Sequence, residues 1–168
     1  MIGEKLINVI GLFFVNSYMA KYVGPESFGK IVFASTLFLF VQTFSWFGMQ
    51  NVLFKRMSMN PNSGITLGLA THSFRTSLLT ISSLCVLFYL YLLGDKITFI
   101  FGIASCIASY YVVADIFSTY NNSQLTSHIN TITNTIGLCL AFIARFVFTY
   151  FNMSIFWFVI PIVLIPMV

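Results

Sequence analysis

Two arginines and one aspartate stand inside stretches that are otherwise almost without charge. Arg145 lies about four turns into the apolar run from Ile129 to Phe151, and Arg75 lies near the start of another. A guanidinium at the centre of a bilayer costs at least about 2.5 kcal/mol unless it is paired or hydrated. Arg145 therefore reads in one of two ways: as the cationic wall of a cavity that attracts an anionic group, or as a snorkelling side chain reaching for headgroups near Phe151 and Asn152. Arg75 carries the same pair of readings, with an interfacial anchor as the simpler one. Asp115, one turn before the polar connection Tyr120 to Gln124, fits a carboxyl that takes and releases a proton in coupling, an interfacial acid, or the partner of a distant base. Lys21 is a cavity-mouth cation or a helix-end anchor. Asn16, with Asn8 and Ser17, makes one face of the first run too polar for lipid, so that face belongs against helices or a wet cavity. His72 and His128 lie near polar breaks, where a solvated or hydrogen-bonded imidazole is the ordinary reading.

The elements that position these groups are helices of membrane length. Of 168 residues, 58% are hydrophobic and 7% charged, against about 25% charged in a soluble domain. The apolar residues repeat in blocks matching the roughly 20 residues a helix needs to cross a bilayer. An all-α polytopic transmembrane bundle follows, forming one domain over 1–168. Five full spans are expected, at Leu6–Tyr22, Ile31–Phe54, a third starting in Ile65–Ser73 and ending at Leu93, Ile97–Thr119 and Ile129–Phe151. A partial sixth runs from Ile155 to Val168, about 21 Å of helix against a core of about 30 Å. The chain then reads as a truncated frame, a fragment, or the first part of something longer.

The sharpest punctuation falls between the first two spans, where Gly24-Pro25-Glu26 ends one helix and caps the next. Glycine supplies backbone angles closed to other residues, proline suits the first helical position, and a carboxylate there meets the positive end of the helix dipole. Asn60-Pro61-Asn62-Ser63-Gly64 predicts the longest break, between spans two and three. Gly102, Ala104, Ser105, Ala108 and Ser109 form a small-residue packing face on the fourth span. The eight Lys and Arg residues are scattered, which argues against a nucleic-acid partner. They also divide evenly between the two sides, so charge counting leaves the orientation open. A cleavable leader after Lys5 is disfavoured by the lack of a small-residue cleavage site. Cys85, Cys106 and Cys139 have no metal or disulfide spacing and read as buried small hydrophobes. No motif for a metal or cofactor is present.

The stretch Ala-Lys-Tyr-Val-Gly-Pro-Glu-Ser-Phe-Gly, residues 20–29, resembles the N-terminal signature of Wzx-type O-antigen and polysaccharide flippases. These belong to the multidrug, oligosaccharidyl-lipid and polysaccharide exporter superfamily. Gly24, Pro25, Glu26, Phe28 and Gly29 carry the turn motif, and Trp46-Phe47-Gly48 matches the glycine-containing aromatic end of the following helix. Asp115-Ile116-Phe117, Ile143-Ala144-Arg145-Phe146 and Ser154-Ile155-Phe156-Trp157-Phe158 agree as well. The resemblance implies the N-terminal lobe of a two-lobe transporter of about twelve spans. It also implies a bacterial inner membrane location with a cytoplasmic N-terminus, and export of an undecaprenyl-pyrophosphate-linked oligosaccharide without covalent chemistry. Arg145, Arg75, Lys21 and Asn16 would line its cavity and Asp115 would couple transport. Membrane lipids, the lipid-linked saccharide and other polysaccharide-assembly membrane proteins would be its partners.

Two other classes stay open. A membrane-embedded polysaccharide polymerase or glycosyltransferase would need a large polar loop with catalytic carboxylates, whereas the longest non-apolar stretch here is Met57 to Gly64. A non-transporting remnant is favoured by the short sixth run.

Overall fold

The computed structural model describes residues 13–14, 17–151 and 153–167, and every element among them is helical. The described part of the first helix is α1, residues 13–14 and 17–23. It is followed by α2 (Pro25–Trp46), α3 (Met49–Met59), α4 (Pro61–Leu92), α5 (Lys96–Ala114), α6 (Phe117–Ser123), α7 (Ser127–Tyr150), a 3₁₀ turn (Ile155–Phe158) and α8 (Val159–Met167). Four of these, α2, α4, α5 and α7, are long and apolar enough to cross a membrane. The expected first span, Leu6–Tyr22, falls largely on residues outside the described set.

The chain turns at Gly24 as its composition predicts. Gly24 has φ +85°, Pro25 takes the first helical position and Glu26 sits in the first turn. Lys30, one turn further on, reaches Glu26 at 3.0 Å and Asp95 at 3.5 Å. That contact brings the start of α2 beside the α4–α5 connection, and Tyr22 Oη donates to the Met153 carbonyl at 3.2 Å, bringing the α7 end to the same place. These connections define one end of the bundle, here the turn end. Phe28 packs on the core beneath it, while Gly29 has open space around it.

Along the bundle, α2 buries Ile31, Ala34, Phe38, Val41 and Ser45, a three–four spacing that puts one stripe inward. The stripe meets the small-residue face of α5, where Gly102, Ala104, Ser105 and Ser109 are buried. Gly102 lies close against its neighbours: a Cβ there would come within 2.6 Å of Leu90 Cδ1, displacing the end of that side chain, and would rest against Phe38. Close helix approach replaces the hydrophobic drive that lipid cannot supply. Phe33, Phe40, Phe44 and Phe88 remain exposed on the outside, the surface expected of a lipid-facing bundle. Cys85 and Cys139 are also exposed, which corrects their reading as buried: they lie on the outward faces of α4 and α7.

At the opposite end the predicted spans are interrupted. The expected helix Ile31–Phe54 is two helices, because Phe47 (φ 44°) and Gly48 (φ 73°) both adopt the left-handed conformation and divide α2 from α3. The expected break at Met57–Gly64 contracts to Asn60 alone. Its side chain accepts the Ser63 N–H at 3.3 Å, and Pro61 begins α4, so the turn formers serve as an N-terminal cap. The fourth span stops at Ala114, and residues 117–123, expected in part as a polar connection, form α6. The sixth run opens as a 3₁₀ turn, leaving nine α-helical residues in α8.

With 32 residues, α4 is about 48 Å long, about 18 Å more than a hydrocarbon core. Its first turns pair with α3 in a tight hairpin. A Cβ on Gly64 would lie 2.7 Å from Met57 Cα and 2.8 Å from Met57 N, so only glycine lets the two backbones meet. Gln124 of the α6–α7 connection donates to the Met57 carbonyl at 3.1 Å and ties α6 to this hairpin.

A polar cleft between broken helices

Asp115 stands at the break between α5 and α6. Its extended backbone (φ −71°, ψ 107°) ends α5, and its Oδ1 accepts the Ser118 N–H at 3.2 Å. The carboxylate thus satisfies a backbone donor that the new helix start leaves free. Asp115 is exposed and lines two adjoining cavities. One, of about 300 Å³, lies against Gln42, Trp46, Gln50 and Asn51, where α2 gives way to α3. The other, of about 570 Å³, lies against Asn121, Asn130 and Asn134 and reaches the end of α8 at Met167. Val112, Asp115 and Ser118 border both, so the two form one polar cleft between two helix breaks.

Asn130 holds the α7 side of the cleft. Its Nδ2 donates to the Ser118 carbonyl at 2.9 Å and to Asn122 Oδ1 at 3.1 Å, while its Oδ1 accepts from Asn121 Nδ2 at 2.8 Å. This amide fixes α6 onto α7 and satisfies groups in a connection that apolar packing alone would leave unpaired.

Arg75 lies nearby but does not line either cavity. The buried positions of α4 include Gly64, Gly68, Arg75, Leu79 and Ser83, so helix register carries Arg75 inward at a position suited to an apolar residue. Its side chain has 0% exposure. Nη2 donates to the Gly68 carbonyl at 3.4 Å, and Nε and Nη1 have no partner among the described residues. The Trp46 ring stacks over the guanidinium, with Cζ 4.5 Å from its centroid. A cation–π contact of this kind offsets part of the desolvation. Trp46 therefore separates a buried cation from a cleft whose acid is Asp115.

The other expected cavity residues are placed apart. Arg145 is near the turn end of α7, in a smaller aromatic cavity of about 190 Å³ with Tyr18, Met19, Phe142 and Phe158. Lys21 is exposed one turn before Gly24. Asn16 lies outside the described residues. Arg75, Arg145 and Lys21 thus do not share one cavity. The sequence reading missed Asn130 as a cross-link and Trp46 as the cover of Arg75. A signal for Asn130 was available: it opens the α7 stripe that continues through Asn134, Gly137, Ala141 and Arg145 at helical spacing.

No protein family, curated protein or solved structure matches the chain.

Proposed function

We propose that the chain is one lobe of a transporter that passes a lipid-linked oligosaccharide, carried on undecaprenyl pyrophosphate, across a bacterial inner membrane. The observation that carries this reading is the convergence of two interrupted helices, α2/α3 and α5/α6, on one polar cleft within an otherwise apolar bundle. Transporters use discontinuous helices in this way, because each break frees backbone and side-chain polar groups for a substrate where an intact helix has none to offer. Six amides line it, Gln42, Gln50, Asn51, Asn121, Asn130 and Asn134, supplying both donors and acceptors. That chemistry suits sugar hydroxyls. The Gly-Pro-Glu turn and its resemblance to flippases point the same way.

In this reading the N-terminus is cytoplasmic, so the cleft opens on the side from which the substrate departs and the Gly24 turn faces the periplasm. Asp115 takes the proton-coupling role, and a second lobe or another assembly protein completes the alternating-access pair. Deleting the chain from its host is expected to raise the pool of undecaprenyl-linked oligosaccharide and lower surface polysaccharide. Wild type should restore both, and Asp115→Asn at equal membrane levels should restore them only in part. An unchanged lipid-linked pool in the deletion would overturn the proposal.

A further inference from the structure

The aromatic cavity around Arg145 has a chemistry distinct from the cleft. Arg145 is 9% exposed, and its Nε is buried without a partner among the described residues. The walls are Phe14, Tyr18, Phe142 and Phe146, four rings that are themselves exposed on the outer surface, with Tyr18 and Phe146 stacked at 6.2 Å. The cavity therefore opens towards lipid rather than towards the bundle interior. A cation on the wall of an apolar, lipid-facing cavity needs an anion that arrives from the lipid phase.

Depth identifies the kind of anion. Arg145 precedes the last residue of α7, Tyr150, by five positions, about 7.5 Å along the axis. The long arginine stem puts the guanidinium within reach of the headgroup layer at the turn end. A phosphodiester sits at that level, with acyl chains running inward past it. The guanidinium fork matches phosphate oxygens, and the rings around it offer a surface for one chain.

We propose that this cavity holds one anionic phospholipid of the leaflet at the turn end. Its phosphate accepts from Arg145, and an acyl chain lies against Phe14, Phe142 and Phe146. Charge complementarity favours a lipid with net negative charge over a zwitterionic one, whose own ammonium already neutralises the phosphate. The site does not depend on the transport reading.

Native mass spectrometry tests it on the full chain purified in neutral detergent with equal amounts of phosphatidylglycerol and phosphatidylcholine. The wild-type chain is expected to retain one phosphatidylglycerol in preference to phosphatidylcholine. Arg145→Gln should lower its occupancy about tenfold, the effect of losing one charge-assisted hydrogen bond, while Arg145→Lys keeps most of it. Phe142→Ala, which leaves the guanidinium in place, should weaken retention about fourfold through lost apolar contact. That variant, with the wild-type lipid preference, carries the test if Arg145→Gln does not fold. Equal retention of both lipids, undiminished phosphatidylglycerol on a folded Arg145→Gln or Phe142→Ala chain, or displacement of the lipid by inorganic phosphate would overturn the proposal.

Discussion

The two ends of this bundle solve the problem of turning a chain at a membrane face in opposite ways. At the turn end, helices stop and restart within a few residues. Gly24 and Gly94 take positive φ, Lys30 clasps Glu26 and Asp95, and Tyr22 reaches the Met153 carbonyl. At the other end α2 and α5 break early and pass into the short helices α3 and α6. The polar groups freed there are taken up by Asp115, Asn130 and Gln124. A lysine clasp and one side-chain hydrogen bond over apolar packing close the first arrangement, whereas the second is held by a network of amide and carboxylate hydrogen bonds. Space between helices is the result, and it is lined with amides. The buried arginines repeat the contrast: Arg75 lies behind Trp46 beside that polar space, and Arg145 lies in an aromatic cavity open to lipid.

Substitutions at the two ends can break or sharpen this contrast. The largest loss is expected for Trp46→Ala, about 4 kcal/mol from thermal unfolding in detergent, because it opens a cavity and strips the cover from the Arg75 guanidinium. Trp46→Phe should recover most of it by keeping a ring face; equal losses for Ala and Phe would show that the ring contributes nothing to the cation. Gly64→Leu comes next, at about 3 kcal/mol, since any side chain there meets the Met57 backbone, which cannot yield as a side chain would. A milder Gly68→Ala is expected to be better tolerated, its nearest neighbours being side-chain atoms of Ile116 and Leu53.

Asn130→Leu should cost about 2 kcal/mol by leaving the Ser118 carbonyl and the Asn121 amide without their partner, and hydrogen exchange should rise at the start of α7. An unchanged exchange pattern would argue against a hydrogen-bonded origin for the cleft. The smallest effect is expected at the turn end, where Tyr22→Phe removes one part-buried hydrogen bond worth about 1 kcal/mol. If that loss equalled the one at Asn130, the two ends would not differ as described.

Much of the architecture was legible without coordinates. The positions of Gly24 and Pro25, the packing face of α5 and the bounds of α7 agree with the sequence reading to within a few residues, because each rests on a local rule: proline fixes φ, glycine permits φ > 0, and small residues at helical spacing allow close approach. The helix breaks were not legible. Phe47 is not a residue that predicts a left-handed backbone, and Asp115 followed by isoleucine and phenylalanine reads as continuing helix. Conversely, Asn60-Pro61-Asn62-Ser63-Gly64 reads as a long loop by its residue types, yet one asparagine cap and a proline at the first helical position reduce it to a single non-helical residue. The site was legible only in its ingredients. Arg75, Arg145 and Asp115 announced themselves as charges in apolar runs, but nothing in their spacing separates two arginines lying near opposite ends of the bundle.

By itself, then, the sequence determined a helical membrane-length chain, its first turn and the scarcity of charge that makes each arginine conspicuous, since these follow from composition and nearest-neighbour stereochemistry. Only the tertiary structure decided where helices break, that Trp46 covers Arg75, and that Asn130 joins α6 to α7. Those features come from register and packing between helices, consecutive ones as well as ones distant in the chain, and no local propensity encodes which face meets which.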